Sequence, residues 1–357
     1  MNDIESYLLT MIPAHPKDVV RHAMDKFQIT RAAVHRHLNK LIDSGSVLKN
    51  GSKNKTLYAL PTGNLTRAPA GHEYDYNVGV EGEHEIWKRD IKPLLAGLPM
   101  NIVQICQHGF TEIFNNVIDH SDSRSAHVEV QNSDDQVVIE IIDVGIGIFK
   151  KVAEACYYSD YREAILKLHQ GKFTTDPKNH SGEGIFFTSR IFDTFSILAN
   201  GLYYKKDNTD LNDWFFENQK NKETVGTIVT MIISKDCGRK LMDVFNAYSN
   251  PNTYKFDKTH IRISLGQFEE DQFVSRSQAK RLTHGLTGFE DIILDFTDVA
   301  HVGQGFVDEI LAVFAQEHPQ TRFIIENAND DIIFMIKRGG STRELSEDRL
   351  IFQLSSM

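Results

Sequence analysis
The chain has 357 residues, 41% of them apolar and 25% charged, with a net charge of -10. This length suits two or three domains better than one, and no apolar run is long enough to span a bilayer. There is no signal-peptide pattern, and the three scattered cysteines (Cys106, Cys156, Cys237) make neither a disulfide frame nor a zinc site, so a cytoplasmic protein with reduced thiols and no membrane contact is expected.

The charge is unevenly spread. Residues 1–63 hold nine basic side chains (Lys17, Arg21, Lys26, Arg31, Arg36, Lys40, Lys49, Lys53 and Lys55) against five acidic ones, giving +4 and leaving -14 for the rest. A basic end on an acidic protein suits a nucleic-acid-binding module. Apolar periodicity predicts helices over residues 4–12, 17–27 and 31–44, the last capped by Thr30 and stopped by Gly45. Residues 47–49 and 56–60 flank the turn Asn50–Asn54, which is a hairpin signal. This order resembles a winged helix-turn-helix domain. The resemblance implies that the third helix enters a major groove of double-stranded DNA. Arg31, His35 and Arg36 would then meet bases or phosphates, and Lys49, Lys53 and Lys55 the backbone. Residues 61–76 are polar with Pro and Gly and read as linker.

Helices and strands alternate from about residue 80 to 250. Helices are expected over residues 83–98 and 101–120, and strands over 126–131 and 137–142. Helical stretches follow within 149–173, then a polar loop over 174–181 and a helix from Gly184. Strands are expected over 194–200 and 226–233, with a strand pair and an exposed excursion between them. Beyond residue 255, strands near 261–265, 292–296 and 322–326 alternate with helices near 275–286, 306–314 and 330–337, which argues for a small α/β sandwich.

Three stretches of the middle region carry chemistry. Glu112, Asn116 and His120 recur every four residues and share one helix face. An amide oxygen from Asn116 suits Mg2+, which takes oxygen ligands and keeps several waters. Glu112, one turn earlier, is placed to act as a general base. Asp143 ends an apolar strand, and Gly145 and Gly147 follow it. A buried carboxylate there can accept the amino group of adenine, and the glycines let backbone approach the base. Ser181-Gly182-Glu183-Gly184 opens a helix, where free N–H groups face anions. Taken together in this order, with Thr227 opening a later strand, these resemble the N, G1 and G2 boxes of the GHKL (histidine-kinase-like, Bergerat fold) ATPases. The resemblance implies ATP and Mg2+ as ligands. It assigns catalysis to Glu112, metal binding to Asn116, and ATP contacts to Asn116, Asp143, Gly145, Gly147, Ser181, Gly182, Gly184 and Thr227. It also implies a lid between the second and third boxes, including Lys172, Thr174, Thr175, Lys178, His180 and Ser181.

The C-terminal pattern Leu294-Asp295-Phe296 followed by Gly303-Gln304-Gly305-Phe306 resembles a STAS-like domain of the DUF4325 type. Anti-anti-sigma STAS proteins carry a phosphorylated serine at the turn before that helix, and residues 301–306 contain none. The expected fold class is therefore α+β multidomain: a winged helix (1–63), a linker (64–79), a GHKL α/β sandwich (80–250) and a small STAS-like α/β domain (255–357). The expected function is a cytoplasmic regulator of transcription or of defence against foreign DNA, in which a slow ATP hydrolase switch is coupled to DNA binding. The alternatives are an anti-sigma-type protein serine/threonine kinase and a non-catalytic ATP-gated scaffold. A protein partner of the STAS-like domain and a homodimer are further expectations.

Overall fold
The computed structural model describes residues 3–12, 15, 18–44, 46–50, 56–59, 71–174, 182–209, 212–217, 226–266, 275–341, 346 and 348–353. The chain forms two compact units and passes between them more than once. The first comprises Met1–Lys151 and Phe192–Gly238, the second Val152–Ile191 and Arg239–Met357.

The first unit begins with helices α1 (Asp3–Met11), α2 (Val19–Phe27) and α3 (Arg31–Asp43), then an antiparallel hairpin of β1 (Leu48–Asn50) and β2 (Leu57–Ala59). Thr30 caps α3 by accepting the Ala33 N–H at 3.3 Å, worth about 1 kcal/mol. The helices meet because their apolar stripes supply one core: Leu8, Ile12, Val19, Ala23, Val34, Leu38 and Leu41, joined by Val47 and Tyr58 from the hairpin segment. Buried Glu5 ties α1 to α3 by accepting from Lys40 Nζ at 2.9 Å and lying 3.2 Å from His37 Nδ1.

The same unit continues with β3 (His72–Asn77), α4 (Glu83–Ile86), α5 (Met100–His120), β4 (Ser125–Asn132), β5 (Gln136–Asp143) and the start of α6 (Ile148–Cys156). After the excursion into the second unit come β6 (Thr194–Ala199), β7 (Leu202–Asp207), β8 (Asn212–Glu217) and β9 (Thr227–Ser234). The seven strands form one antiparallel sheet in the order β3-β4-β5-β9-β6-β7-β8. Helix α5 packs on β5 and β9. Its buried face (Ile102, Ile105, Phe110, Ile113, Phe114, Val117) repeats at three and four residues.

Two expectations need correction here. Residues 72–77 fall in the expected linker but form β3, paired with β4 from His72–Val130 to Asn77–Ser125. Tyr76 anchors the strand, buried with its ring 5.7 Å from Phe114. The helix expected over 83–98 is α-helical only to Ile86. It then loosens into a π-helical turn (Trp87–Ile91) and tightens into a 3-10 turn (Lys92–Leu95). Pro93, without an N–H, cannot sustain the α-helical ladder there.

The second unit contains the rest of α6, α7 (Tyr161–Gln170), α8 (Gly184–Ile191), α9 (Leu241–Tyr248), β10 (Lys258–Arg262), α10 (Arg276–Thr283) and β11 (Asp291–Asp295). It ends with α11 (Gln304–Asp308), a π-helical turn (Glu309–Phe314), α12 (Ala315–Glu317), β12 (Arg322–Glu326), α13 (Asp330–Ser341) and β13 (Leu350–Gln353). The four strands are parallel and follow chain order, β10-β11-β12-β13. That order is the simplest open α/β winding. Ser275 and Gln278 close a full capping box on α10. Strand β10 lies three residues before its expected start, and α9 and β13 were not anticipated. Glu309 is buried, with Lys280 Nζ 3.9 Å away.

Candidate nucleotide site
The residues of the first two boxes lie in the first unit. On α5, Glu112 and Asn116 lie along one edge of the buried stripe and are half-buried. Glu112 Oε1 lies 4.0 Å from Nδ1 of His108, one turn earlier. Burial pushes the His108 imidazole down to about 4, so it is neutral at physiological pH. Asn116 Nδ2 is buried with no hydrogen-bond partner. A buried amide donor without a partner costs on the order of 1 kcal/mol or more.

Asp143, the last residue of β5, is 5% exposed. It shares a strand face with Val137, Ile139 and Ile141, all nearly inaccessible. Its Oδ1 accepts the Gly145 N–H at 2.8 Å. Burial raises its pKa, and hydrogen bonds from Gly145 and from the hydroxyl and backbone of Thr227 partly offset that rise. Thr227, paired with Asp143 across β5 and β9, also accepts the Ile148 N–H at 3.1 Å. Two glycines make this packing possible. A Cβ on Gly145 would stand 1.9 Å from the Ser121 carbonyl oxygen, and one on Gly226 1.9 Å from that of Asp143. Gly147 has a φ of +83° and its position would otherwise collide with the Asn200 amide.

Asn200 is the site residue that sequence reasoning missed. Its Oδ1 accepts the Lys150 N–H at 3.0 Å and its Nδ2 donates to the Ile146 carbonyl at 3.0 Å, pinning both sides of Gly147. It stands in the two-residue turn between β6 and β7, where Asn200 and Gly201 both have positive φ. An Asn-Gly pair between alternating strands is the signal that would have located the turn.

The third box lies in the second unit. Gly182 has a φ of +73°, and a Cβ there would stand 2.6 Å from the Phe173 backbone. Gly184 is the first residue of α8. That helix is held from behind by Arg190, which is 5% exposed. The Arg190 guanidinium stacks 3.5 Å from the Phe186 ring and donates to the carbonyls of Phe186, His169 and His260. Phe186 and Phe187 in turn pack on Phe256 and Tyr248. Of the expected lid residues, Lys172 is committed elsewhere: its ammonium donates to the Gly288 carbonyl and sits 4.2 Å over the Phe289 ring. Ser181 and the lid residues Thr175, Lys178 and His180 lie outside the described residues.

The expected DNA-contacting side chains divide similarly. Arg31, Arg36 and Lys49 are exposed, and His35 is half-buried with Nδ1 3.4 Å from the Tyr58 hydroxyl. Burial, then the charges of Arg31 and Lys49, lower the His35 pKa, so the fold brings these three groups into one electrostatic neighbourhood. Lys53 and Lys55 lie outside the described residues.

In the second unit, Asp295 is a buried acceptor. It accepts from the Thr297 backbone and hydroxyl at 2.9 and 2.6 Å and from Asn327 Nδ2 at 2.8 Å. Burial alone would raise its pKa, but these bonds, with His260 beside it, hold the carboxyl well below the usual range. No described helix is long and apolar enough to cross a membrane.

No curated protein matches the chain. Two family models do match, each over part of it. Residues 278–332 match a STAS-like domain of unknown function (DUF4325), and residues 102–236, which hold α5, β5, α8 and β9, match the histidine kinase-, DNA gyrase B- and HSP90-like ATPases.

Proposed function
We propose that the region 102–236 binds ATP with Mg2+ and acts as a regulatory switch for a DNA-binding N-terminal segment. The observation that carries the nucleotide reading is the buried Asp143 carboxylate. It is held at a strand end by Gly145 and Thr227, with backbone on either side kept close by glycine. Burying a carboxylate without a countercharge is costly, and an adenine amino group is the kind of donor that makes the cost useful. Asn116 supports the second half of the reading, because its buried, unpartnered Nδ2 can donate to a phosphate oxygen. Its oxygen would serve as the protein ligand to Mg2+, with water and phosphate oxygens completing the shell. Bound ATP supplies a transferable γ-phosphoryl group. Glu112 on the same face would orient and deprotonate the attacking water, giving slow hydrolysis.

The DNA reading rests on the first segment. Three helices and a hairpin share one core, a winged-helix order, and leave Arg31, Arg36 and Lys49 exposed around it. The region would act in the cytoplasm on transcription or on defence against foreign DNA. The C-terminal STAS-like region would receive a protein partner.

Calorimetry with ATP and Mg2+ tests the first half. Binding is expected for the wild type, with at least about a hundredfold loss in Asn116→Ala and in Asp143→Asn. No binding to folded wild-type protein defeats the nucleotide reading. DNA affinity measured without nucleotide, with ADP, with ATP and with a non-hydrolysable analogue tests the second half. Identical affinities in all four conditions defeat the coupling. Label from γ-phosphate appearing on a partner protein, in place of free phosphate, would favour the kinase alternative.

A further inference from the structure
We propose that His15, Asp18 and His22 form a site for a divalent transition-metal ion of the zinc class, placed at the joint between α1 and α2. The inference is independent of the nucleotide reading. Among the described residues these are the one group of three histidine, cysteine or acidic side chains whose ligand atoms gather, all within 4.8 Å of one another.

The geometry is specific. His15 Nδ1 lies 3.3 Å from Asp18 Oδ1, and His22 Nε2 lies 3.1 Å from Asp18 Oδ2. The two imidazole rings face each other with centroids 3.8 Å apart at 41°. Asp18 occupies the N-cap position of α2, where an aspartate ordinarily accepts an N–H from the first turn. Its side chain makes no cap hydrogen bond; both oxygens are turned toward the imidazoles instead. A metal ion would take one lone pair from a nitrogen of each ring and one from the carboxylate.

The donor set selects the ion. Two imidazole nitrogens and one carboxylate oxygen suit Zn2+, Co2+ or Ni2+. Mg2+, which prefers six oxygens, would not compete. Zinc bonds of about 2.0–2.1 Å put tetrahedral ligand atoms roughly 3.3 Å apart, close to the present 3.3 and 3.1 Å between each imidazole nitrogen and the carboxylate. The side chains are 33%, 50% and 37% exposed, so they can rotate and the ion can reach them. Three protein ligands leave one position for water.

The location gives the ion something to do. The His15 N–H donates to Met11 of α1 at 2.8 Å, and its carbonyl accepts from Val19 of α2 at 2.9 Å. His15 is therefore the backbone joint of the two helices, and an ion clamps it to the second turn of α2. Helix α1 is tied through Glu5 to His37 and Lys40 of α3, the helix that carries Arg31 and Arg36. Occupancy would thus stiffen the basic segment.

The test uses the full chain, stripped with chelator and titrated with Zn2+ against a chromogenic indicator in Mg2+-containing buffer. One site per chain is expected, with Kd of about 1 μM or tighter. His15→Ala and His22→Ala should each weaken it at least about a hundredfold, and Asp18→Asn, which keeps the side-chain shape, at least about tenfold. His84→Ala, at an exposed histidine elsewhere, should leave it unchanged. Co2+ should give a visible absorption band that His22→Ala abolishes. No Zn2+ or Co2+ binding tighter than about 100 μM, or binding unchanged in both histidine variants, overturns the proposal.

Discussion

The two units hold their box residues by different means. In the first, Asp143 and Thr227 are hydrogen-bonded into central strands of a seven-stranded sheet, with Ala126 on the far side of Asp143. Their positions are fixed by register, which a sheet with one buried face specifies strongly. In the second, Gly182 precedes and Gly184 opens a helix whose buried side is an aromatic cluster shared with residues 245–256 and a parallel sheet. Gln170 donates to the Leu282 carbonyl at 2.7 Å and accepts from Thr259 at 2.7 Å, so α7 belongs to that core too. A continuous match over 102–236 therefore does not mean a continuous body.

The largest effect that would break this contrast is expected at Arg190. Arg190→Ala leaves the carbonyls of Phe186, His169 and His260 without their donor and the Phe186 ring without its partner, at a cost of about 3 kcal/mol. Hydrogen exchange should report the loss in α7, α8 and β10 while β4, β5 and β9 keep their protection. Equal loss in both units would show them to be one cooperative body. Gly226→Ala is the mirror experiment. Its φ of +86° and the 1.9 Å clash with Asp143 should cost about 2–3 kcal/mol, confined to the first unit.

A pH experiment sharpens the comparison next. The His108 pKa is about 4 in the folded chain against 6.5 for the ordinary imidazole. Between those values the unfolded chain binds the extra proton, so the stability of the first unit falls on acidification from about 6.5 to 4, by on the order of 2 kcal/mol. His108→Gln should flatten this slope in a denaturant series at stepped pH, and an unchanged slope would assign it elsewhere. Asp143 behaves oppositely. Its raised pKa means that stability declines as pH rises above the ordinary carboxylate range. Asp143→Asn should therefore stabilise the nucleotide-free protein at neutral pH by about 1 kcal/mol, in thermal melts, while costing ATP affinity.

Much of this was legible in the sequence because it is written in local periods. The α5 stripe, the Thr30 and Ser275 caps, and the placement of Asp143 at a strand end follow from spacing alone. What escaped notice depends on distant partners. Strand β3 looks like linker because most of its residues are exposed, and Tyr76 is explained by Phe114 and Asp90, farther along the chain. Glu309 reads as a surface residue until its helix is packed. The assignment of 152–191 to the C-terminal core rests on contacts of Gln170, Lys172 and Arg190 with residues about 70 to 116 positions away. No local pattern encodes those.

Asn200 serves two masters. Its backbone lets the β6–β7 hairpin reverse in two residues, while its amide imitates a missing peptide group beside Gly147. These duties are chemically separable. Glycine at 200 would satisfy the reversal and abandon the amide, and aspartate would keep the acceptor for Lys150 but lose the donor for Ile146. A hairpin tip is thus also the hinge pin of the loop after Asp143, and tightening or loosening one reshapes the other.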